Sequence, residues 1–224
     1  MGKVFDWIDS RFRVKAPHRK FLHRPVPSGI NYFYCLGGIA FTFFLISLIT
    51  GLFLSVYYIP SEFEAYKSVV IINEEVRLGW LMRSTHKWSA NLLIVFIILH
   101  TIHVFVTGGY KPPRELNWIA GVFIFILTMG SGFTGYLLPW NQRAYWATVV
   151  GTSMAGTVPF LGEKFLLFVR GGPEVSGATL IRFYSMHVLI FPLMMALLLW
   201  THFHIVKRMG IAKRSKGDGK ETGQ

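Results

Sequence analysis

His86 and His100 stand fourteen residues apart inside one long apolar stretch, and His187 and His202 stand fifteen apart inside another. At about 1.5 Å of rise and about 100° of turn per residue, fourteen residues of α-helix advance roughly 21 Å and return to within about 40° of the starting face; fifteen advance about 22 Å and miss by about 60°. Each stretch, read as a helix, points two imidazoles the same way at two depths. A neutral imidazole is a good axial ligand for haem iron, and an ionisable side chain at membrane depth is costly enough that its default reading is functional. Two such stretches facing each other would hold two metal centres, one above the other.

Two more apolar stretches carry glycines with the same period, Gly37 and Gly51 in one, Gly121 and Gly135 in the other. Alone, either pair reads as small-residue helix packing. Beside the histidines it gains a second meaning, because glycine lets a flat macrocycle approach the backbone. The expected fold is all-α, a four-transmembrane-helix bundle with ligands on its second and fourth helices, gaps on its first and third, and room for two stacked b haems.

The elements that must position these residues are visible in the composition. Of 224 residues, 52% are hydrophobic and 15% charged, too apolar for an ordinary soluble domain. Four stretches are long enough to cross about 30 Å of hydrocarbon: residues 32–58, 81–106, 118–138 and 180–206. A basic segment precedes the first, and no cleavable signal peptide is read in it. The expected organisation is a basic cytoplasmic segment at 1–31, a transmembrane domain at 32–211 with a long outer loop at 139–179, and a basic, disordered tail at 212–224.

The net charge of +12 would suit nucleic acid if it were clustered on a soluble face. Its distribution points to a membrane instead. Fifteen Lys/Arg flank the stretches on one side: Lys3, Arg11, Arg13, Lys15, Arg19, Lys20 and Arg24 before the first, Lys111 and Arg114 between the second and third, and Lys207, Arg208, Lys213, Arg214, Lys216 and Lys220 after the fourth. Five lie on the other side. The positive-inside bias puts both termini in the cytoplasm or its equivalent, where the same cations would suit an anionic lipid surface.

With that orientation His86 and His187 share the outer depth and His100 and His202 the inner one, which fixes the pairs. Pro192 supplies a kink that would absorb the extra residue between His187 and His202. His204 faces about 160° from His202, and His103 lies about 100° from the His86 direction, so neither is expected to share an iron. His18 and His23 read as solvated members of the basic segment. Haem propionates need cations at both surfaces, for which Arg83 and Lys87 stand at the outer end and Arg114, Lys207 and Arg208 at the inner end; each also suits a snorkelling anchor. The lone cysteine, Cys35, excludes an internal disulfide and a four-thiolate metal site.

From KVFDWID through FYCLGGIAFTFF, GWLMRSTHKWSAN, LHTIHVFVTGGYKPPRELNW, GFTGYLLPWNQRAYWA and RFYSMHVLIFPL to HFHIVKRMGI, nearly the whole chain resembles cytochrome b of the short, split b6 type. The resemblance implies the dihaem subunit of a quinol:cytochrome c (or plastocyanin) oxidoreductase. Quinol would be oxidised at the outer face near Tyr136, Pro139 and Trp140, giving one electron to a Rieske iron–sulfur protein and one to the outer haem, with return across the membrane to an inner quinone site in a proton-translocating Q cycle. It also implies a covalent c-type haem on Cys35, of the kind called ci or cn, in a setting, YCLGG, that excludes two-bond attachment. Expected partners are a subunit-IV-like second half of cytochrome b carrying the outer-site loop that this chain lacks, the Rieske protein, a cytochrome c-type subunit, quinone and lipid, in a dimeric complex of a bacterial cytoplasmic or thylakoid membrane.

Two positions depart from the family pattern. Asn141 stands where an Asp usually follows the Pro-Trp pair, and Lys20 stands in a region that usually carries an acid near the inner quinone site. Any proton role at either place is not carried over. The competing class is a dihaem anchor of a dehydrogenase or hydrogenase, which lacks a long connection of this shape between the third and fourth helices. A transporter or channel would need charged residues mid-membrane or paired broken helices.

Overall fold

The computed structural model describes Ser10 and residues 32–210. The expectations for the basic N-terminal segment, with His18, Lys20 and His23, and for the tail lie outside the described residues. A 3₁₀ turn at Tyr32–Cys35 leads into α1 (Leu36–Tyr57), followed by α2 (Ala65–Glu74), α3 (Gly79–Val106), α4 (Glu115–Leu137), α5 (Gln142–Gly156), α6 (Gly162–Arg170), α7 (Gly177–Ser185), a π-turn at Met186–Ile190 and α8 (Phe191–Met209). No strand occurs among the described residues.

Four helical runs are long and apolar enough to span a bilayer: Tyr32–Tyr57, Gly79–Val106, Glu115–Leu137 and Gly177–Met209. Their outward faces are apolar, with Ile49, Leu52, Val56, Val95, Ile102, Leu193, Leu197 and Trp200 all exposed, as a lipid solvent requires. The protein is an integral membrane protein. The spans pack as two tight pairs, α1 along α3 and α4 along α8, while the pairs touch each other only lightly. That light contact is where flat groups would fit.

The fourth span shows how the fifteen-residue step is absorbed. Rather than a proline kink alone, a wide π-turn carries His187 itself, with Phe191 N–H donating to the Met186 carbonyl five residues back. Pro192 follows directly, and its nitrogen has no hydrogen to donate to the Val188 carbonyl, so the ladder is already broken where the turn widens.

The outer connections are helical, not irregular. The expected loop at 139–179 contains α5 and α6, and α2 lies between the first two spans. Asn141 begins α5, its side-chain oxygen accepting from Ala144 N–H at 2.9 Å, and a Ser176/Thr179 capping box begins α7. Arg170 is 6% exposed and clamps this region. It donates to Thr152 Oγ1 (2.7 Å), the Val149 carbonyl (2.8 Å), Ser153 Oγ (2.8 Å) and the Pro173 carbonyl (2.9 Å). No described carboxylate pairs with it, so the guanidinium is satisfied by neutral acceptors.

Two apolar clusters stabilise the bundle by burial. One, at the outer end, joins Ala65, Leu137, Val169, Leu180 and Phe183, with Tyr58 and Trp140 packed against it. The other sits between the histidine layers: Ala40, Phe44, Leu93 and Met195. Phe44, Leu93 and Thr128 each follow an inner or outer position of the repeat by seven residues. Thr128 Oγ1 reaches Met195 Sδ at 3.6 Å, closing the middle of the bundle.

Candidate functional site

The period of fourteen has a direct structural meaning. A Cβ built on Gly37 would lie 2.9 Å from His100 Cε1, on Gly51 3.1 Å from His86 Cε1, and on Gly121 3.5 Å from His202 Cε1; on Gly135 it would overlap the His187 ring. Each glycine clears the backbone of one helix for the imidazole of its paired neighbour, α1 for α3, and α4 for the π-turn and α8. The four glycines are therefore seats for the imidazole rings as well as gaps between helices.

At the outer depth the His86 and His187 ring centroids are 6.1 Å apart with planes at 80°. An imidazole–metal–imidazole axis with metal–nitrogen bonds of about 2 Å and one ring radius on each side fills that separation. Both rings are oriented from behind. His86 Nδ1 lies 3.0 Å from the Ser47 carbonyl and 3.0 Å from Thr50 Oγ1; His187 Nδ1 lies 2.8 Å from the Ser131 carbonyl. Ser47 and Ser131 each precede the seating glycine by four residues. With Nδ1–H donated to a carbonyl, Nε2 carries the free lone pair, the arrangement a metal-binding histidine adopts.

At the inner depth His100 and His202 line a cavity of about 270 Å³ together with Gly37, Gly121, His103, Arg114 and Asn117. Five buried polar atoms around it have no hydrogen-bond partner among the described residues: His100 Nδ1, His202 Nδ1, His103 Nε2, Arg114 Nε and Asn117 Oδ1. Buried polar groups are normally satisfied, so this concentration marks a seat built for a polar-edged guest. His103, set aside as a ligand, is one of its walls, its ring edge-on to Tyr34 at 4.7 Å. His204 is exposed and stacks on Trp200 at 5.8 Å.

The remaining sequence candidates divide. Arg114 lines the inner cavity; Lys207 and Arg208 are exposed and lie outside its lining. At the outer end Arg83 Nη1 reaches Asn73 Oδ1 at 3.5 Å, and Lys87 is exposed. Cys35 is an exposed thiol at the first cap of α1. Tyr136 is exposed, Trp140 adopts a left-handed backbone (φ 49°) and meets Tyr145 edge-on at 5.9 Å, and Pro139 lies between them. Near them Tyr58 Oη donates to the Leu138 carbonyl at 2.6 Å.

Among the described residues no group of three or more His, Cys, Asp or Glu could hold a metal ion. Histidines in twos, at bundle depth, suit a metal whose other ligands arrive with it, as the iron of a macrocycle does. The family model for cytochrome b/b6/petB matches residues 21–210. The chain belongs to the cytochrome b/b6 family. It is 42% identical to cytochrome b6 of Gracilaria tenuistipitata var. liui and 43% identical to that of Porphyra purpurea, each over 95% of this chain and 99% of the relative. Cytochrome b6 of Synechococcus elongatus is 42% identical over the same shares. Among solved structures, a chain of a hyperthermophilic respiratory Complex III superposes with a TM-score of 0.84 at 32% identity. The match covers 95% of this chain but 58% of that one, so the chain spans little more than half of that relative's length. Membership implies binding of b-type haem, and the two histidine pairs fit the group: paired imidazoles, cleared backbone, and a cavity edged with unsatisfied polar atoms.

The hydroxyls of Thr50 and Ser131, the caged Arg170 and the wall formed by His103 and Asn117 were not singled out from sequence as site residues. At the outer depth Ser47 and Ser131 stand one turn before Gly51 and Gly135, and Thr50 directly before Gly51, all beside the ring that the glycine admits.

Proposed function

We propose that this chain is the four-helix dihaem subunit of a quinol:cytochrome c (or plastocyanin) oxidoreductase, active within a multi-subunit complex. The observation that carries the reading is the pair of histidine layers, one with ring centroids 6.1 Å apart and one lining a polar-edged cavity, at two depths of a membrane-spanning bundle. The relatives named cytochrome b6 and Complex III support it.

His86 and His187 would hold the outer b haem and His100 and His202 the inner one, with Gly37, Gly51, Gly121 and Gly135 admitting the rings. Bound there, the haems supply one-electron transfer across the membrane, the chemistry a proton-translocating Q cycle needs. The residues of this chain bind, orient and exclude water. Ser47 and Ser131 fix the outer tautomers, Phe44, Leu93 and Met195 keep water out of the layer between the seats, and Arg114 offers a cation to the inner guest's acidic edge. Arg83, Lys87, Lys207 and Arg208 provide positive charge at the two surfaces.

Quinol would bind at the outer end near Tyr136, Pro139 and Trp140, in a site completed by a subunit-IV-like partner and served by a Rieske protein and a cytochrome c-type subunit. Cys35, exposed at the inner end of α1, would carry a covalent c-type haem by one thioether bond. Both termini would lie on the cytoplasmic or stromal side, and the complex would be dimeric.

Quinol-driven, inhibitor-sensitive reduction of cytochrome c by the purified complex, compared with this chain alone, tests the assignment. The complex should turn over and the isolated chain should not. Turnover by the chain alone, or a complex without two low-spin b haems, would overturn it. On a denaturing gel, haem stain on this chain that disappears in Cys35→Ser is the expected result for the covalent group.

A further inference from the structure

His86 differs from the other three ligand histidines in what holds its ring. Its Nδ1–H faces two acceptors on α1 at equal distance, the Ser47 carbonyl and Thr50 Oγ1, each at 3.0 Å. The Thr50 hydroxyl proton is already committed, donated to the Ile46 carbonyl at 2.7 Å with the Ser47 carbonyl at 3.2 Å. Its oxygen therefore accepts from His86. Thr50 is 5% exposed, so bulk water does not compete for that bond. A second link grips the same residue: Ser89 Oγ donates to the His86 carbonyl at 3.0 Å, and Ser47 Oγ lies 2.8 Å from Ser89 Oγ.

The other seats lack this arrangement. His187 has a hydroxyl only at 3.4 Å, from Ser131; His100 Nδ1 has no partner among the described residues, and His202 faces the Asn117 backbone with no hydroxyl beside it. In the fourteen-residue repeat of α1, position 50 corresponds to Leu36, a buried hydrocarbon; on α4 its counterpart before Gly135 is Thr134, whose hydroxyl donates to the Gly130 (2.9 Å) and Ser131 (3.2 Å) carbonyls, while the His187 ring bonds to Ser131 instead. A close hydroxyl stands at one seat of the four.

We propose that Thr50 is a positioning residue that sets the electron affinity of the outer centre through His86. This rests on the reading of His86 as an iron ligand. Hydrogen bonds at Nδ1 make an imidazole a more basic ligand, and a more basic ligand favours the higher-charged, oxidised metal. Two acceptors on one N–H do so more than one, and they also fix the rotation of the ring about its bond to the metal. With the hydroxyl gone, the Ser47 carbonyl still selects the tautomer, so the ligand stays in place while the oxidised state loses its advantage.

The test is potentiometric titration of the purified complex, followed optically and by low-temperature EPR. Thr50→Val keeps shape and removes the acceptor; Thr50→Ser keeps the acceptor. In Thr50→Val the redox equilibrium of the outer centre should move toward the reduced form by up to about tenfold, equivalent to about 59 mV for one electron, with a shifted low-spin signal. Thr50→Ser should match the parent, and the inner centre should be unchanged in both. Parent potentials in Thr50→Val, or equal shifts at both centres, would overturn the proposal. Should Thr50→Val fail to assemble, the unmodified complex decides: electron–nuclear double resonance in deuterated solvent should find the His86 Nδ1 proton exchanging more slowly than that of His187, which has the carbonyl contact without a close hydroxyl, and equal exchange rejects the role. Loss of the outer haem in His86→Ala separates the two readings: if both low-spin signals survive there, the ligand assignment fails, whereas unaltered potentials in Thr50→Val with that assignment intact defeat only the part given to Thr50.

Discussion

The two histidine layers share one design of glycine seats and facing imidazoles, yet they are finished differently. The outer layer is closed by the chain's own groups: Ser47, Thr50 and Ser131 satisfy both Nδ1 atoms. The inner layer is a cavity of about 270 Å³ whose five buried polar atoms lack partners among the described residues. The outer seat is thus organised before its guest arrives, and the inner seat is completed by it. Ligand geometry at the outer end should be governed by this chain, and at the inner end by contacts the guest makes.

Removing a ligand gives the largest effect and the simplest check of the pairing. His86→Ala or His187→Ala should abolish the outer low-spin EPR signal and probe whether the complex assembles without it; His100→Ala or His202→Ala should abolish the inner one. Persistence of both signals in any of these variants would dissolve the two-layer comparison.

Next comes the inner cradle. Arg114→Leu removes the cation that lines the cavity, and hydrogen bonds from charged groups are worth about 1.5–3 kcal/mol. Inner haem content or potential should change by roughly tenfold or more in the corresponding equilibrium, while the outer centre stays as it was. Optical redox titration reads both in one sample, and a shift confined to the outer centre would reverse the assignment of Arg114.

The glycines grade the tightness of each seat. Gly37→Ala puts a methyl 2.9 Å from His100 Cε1, whereas Gly121→Ala leaves 3.5 Å to His202 Cε1. Overpacking of this kind costs about 1–3 kcal/mol, so haem per polypeptide should fall in Gly37→Ala and stay near the parent in Gly121→Ala. Equal loss in both would mean that the inner histidines rearrange around their guest more than these distances imply.

The smallest effect belongs to the start of α5. Asn141→Ala removes the cap on Ala144 N–H and should lower thermal stability by about 1 kcal/mol. Asn141→Asp keeps the acceptor and should be close to neutral. An equal drop in both would show that Asn141 does more than begin α5.

Much of this architecture was legible because it is periodic. A spacing of fourteen returns to the same helix face, so the four histidines and four glycines could be assigned to two depths from residue numbers alone, and the spans followed from apolar length. What could not be read was non-periodic. Helices α5 and α6 are weakly apolar and depend on the Asn141 cap and the Arg170 cage, whose acceptors are mostly backbone carbonyls and small hydroxyls without a pattern. His103 was judged by its angle as a ligand, and that angle says nothing about its standing as a cavity wall. Pro192 signals a break in the ladder, but the form of that break, a widened turn instead of a bend alone, depends on which carbonyl the missing N–H would have served.

That widened turn also bears on how such a chain can change length. An extra residue in a regular helix rotates everything after it by about 100°, which would carry one histidine of the fourth span off the shared face. The π-turn at Met186–Ile190 confines the phase slip to a single turn. Fifteen residues between His187 and His202 therefore serve as well as fourteen would in a regular helix: both imidazoles stay in register because the slack is taken up where Pro192 has already opened the backbone.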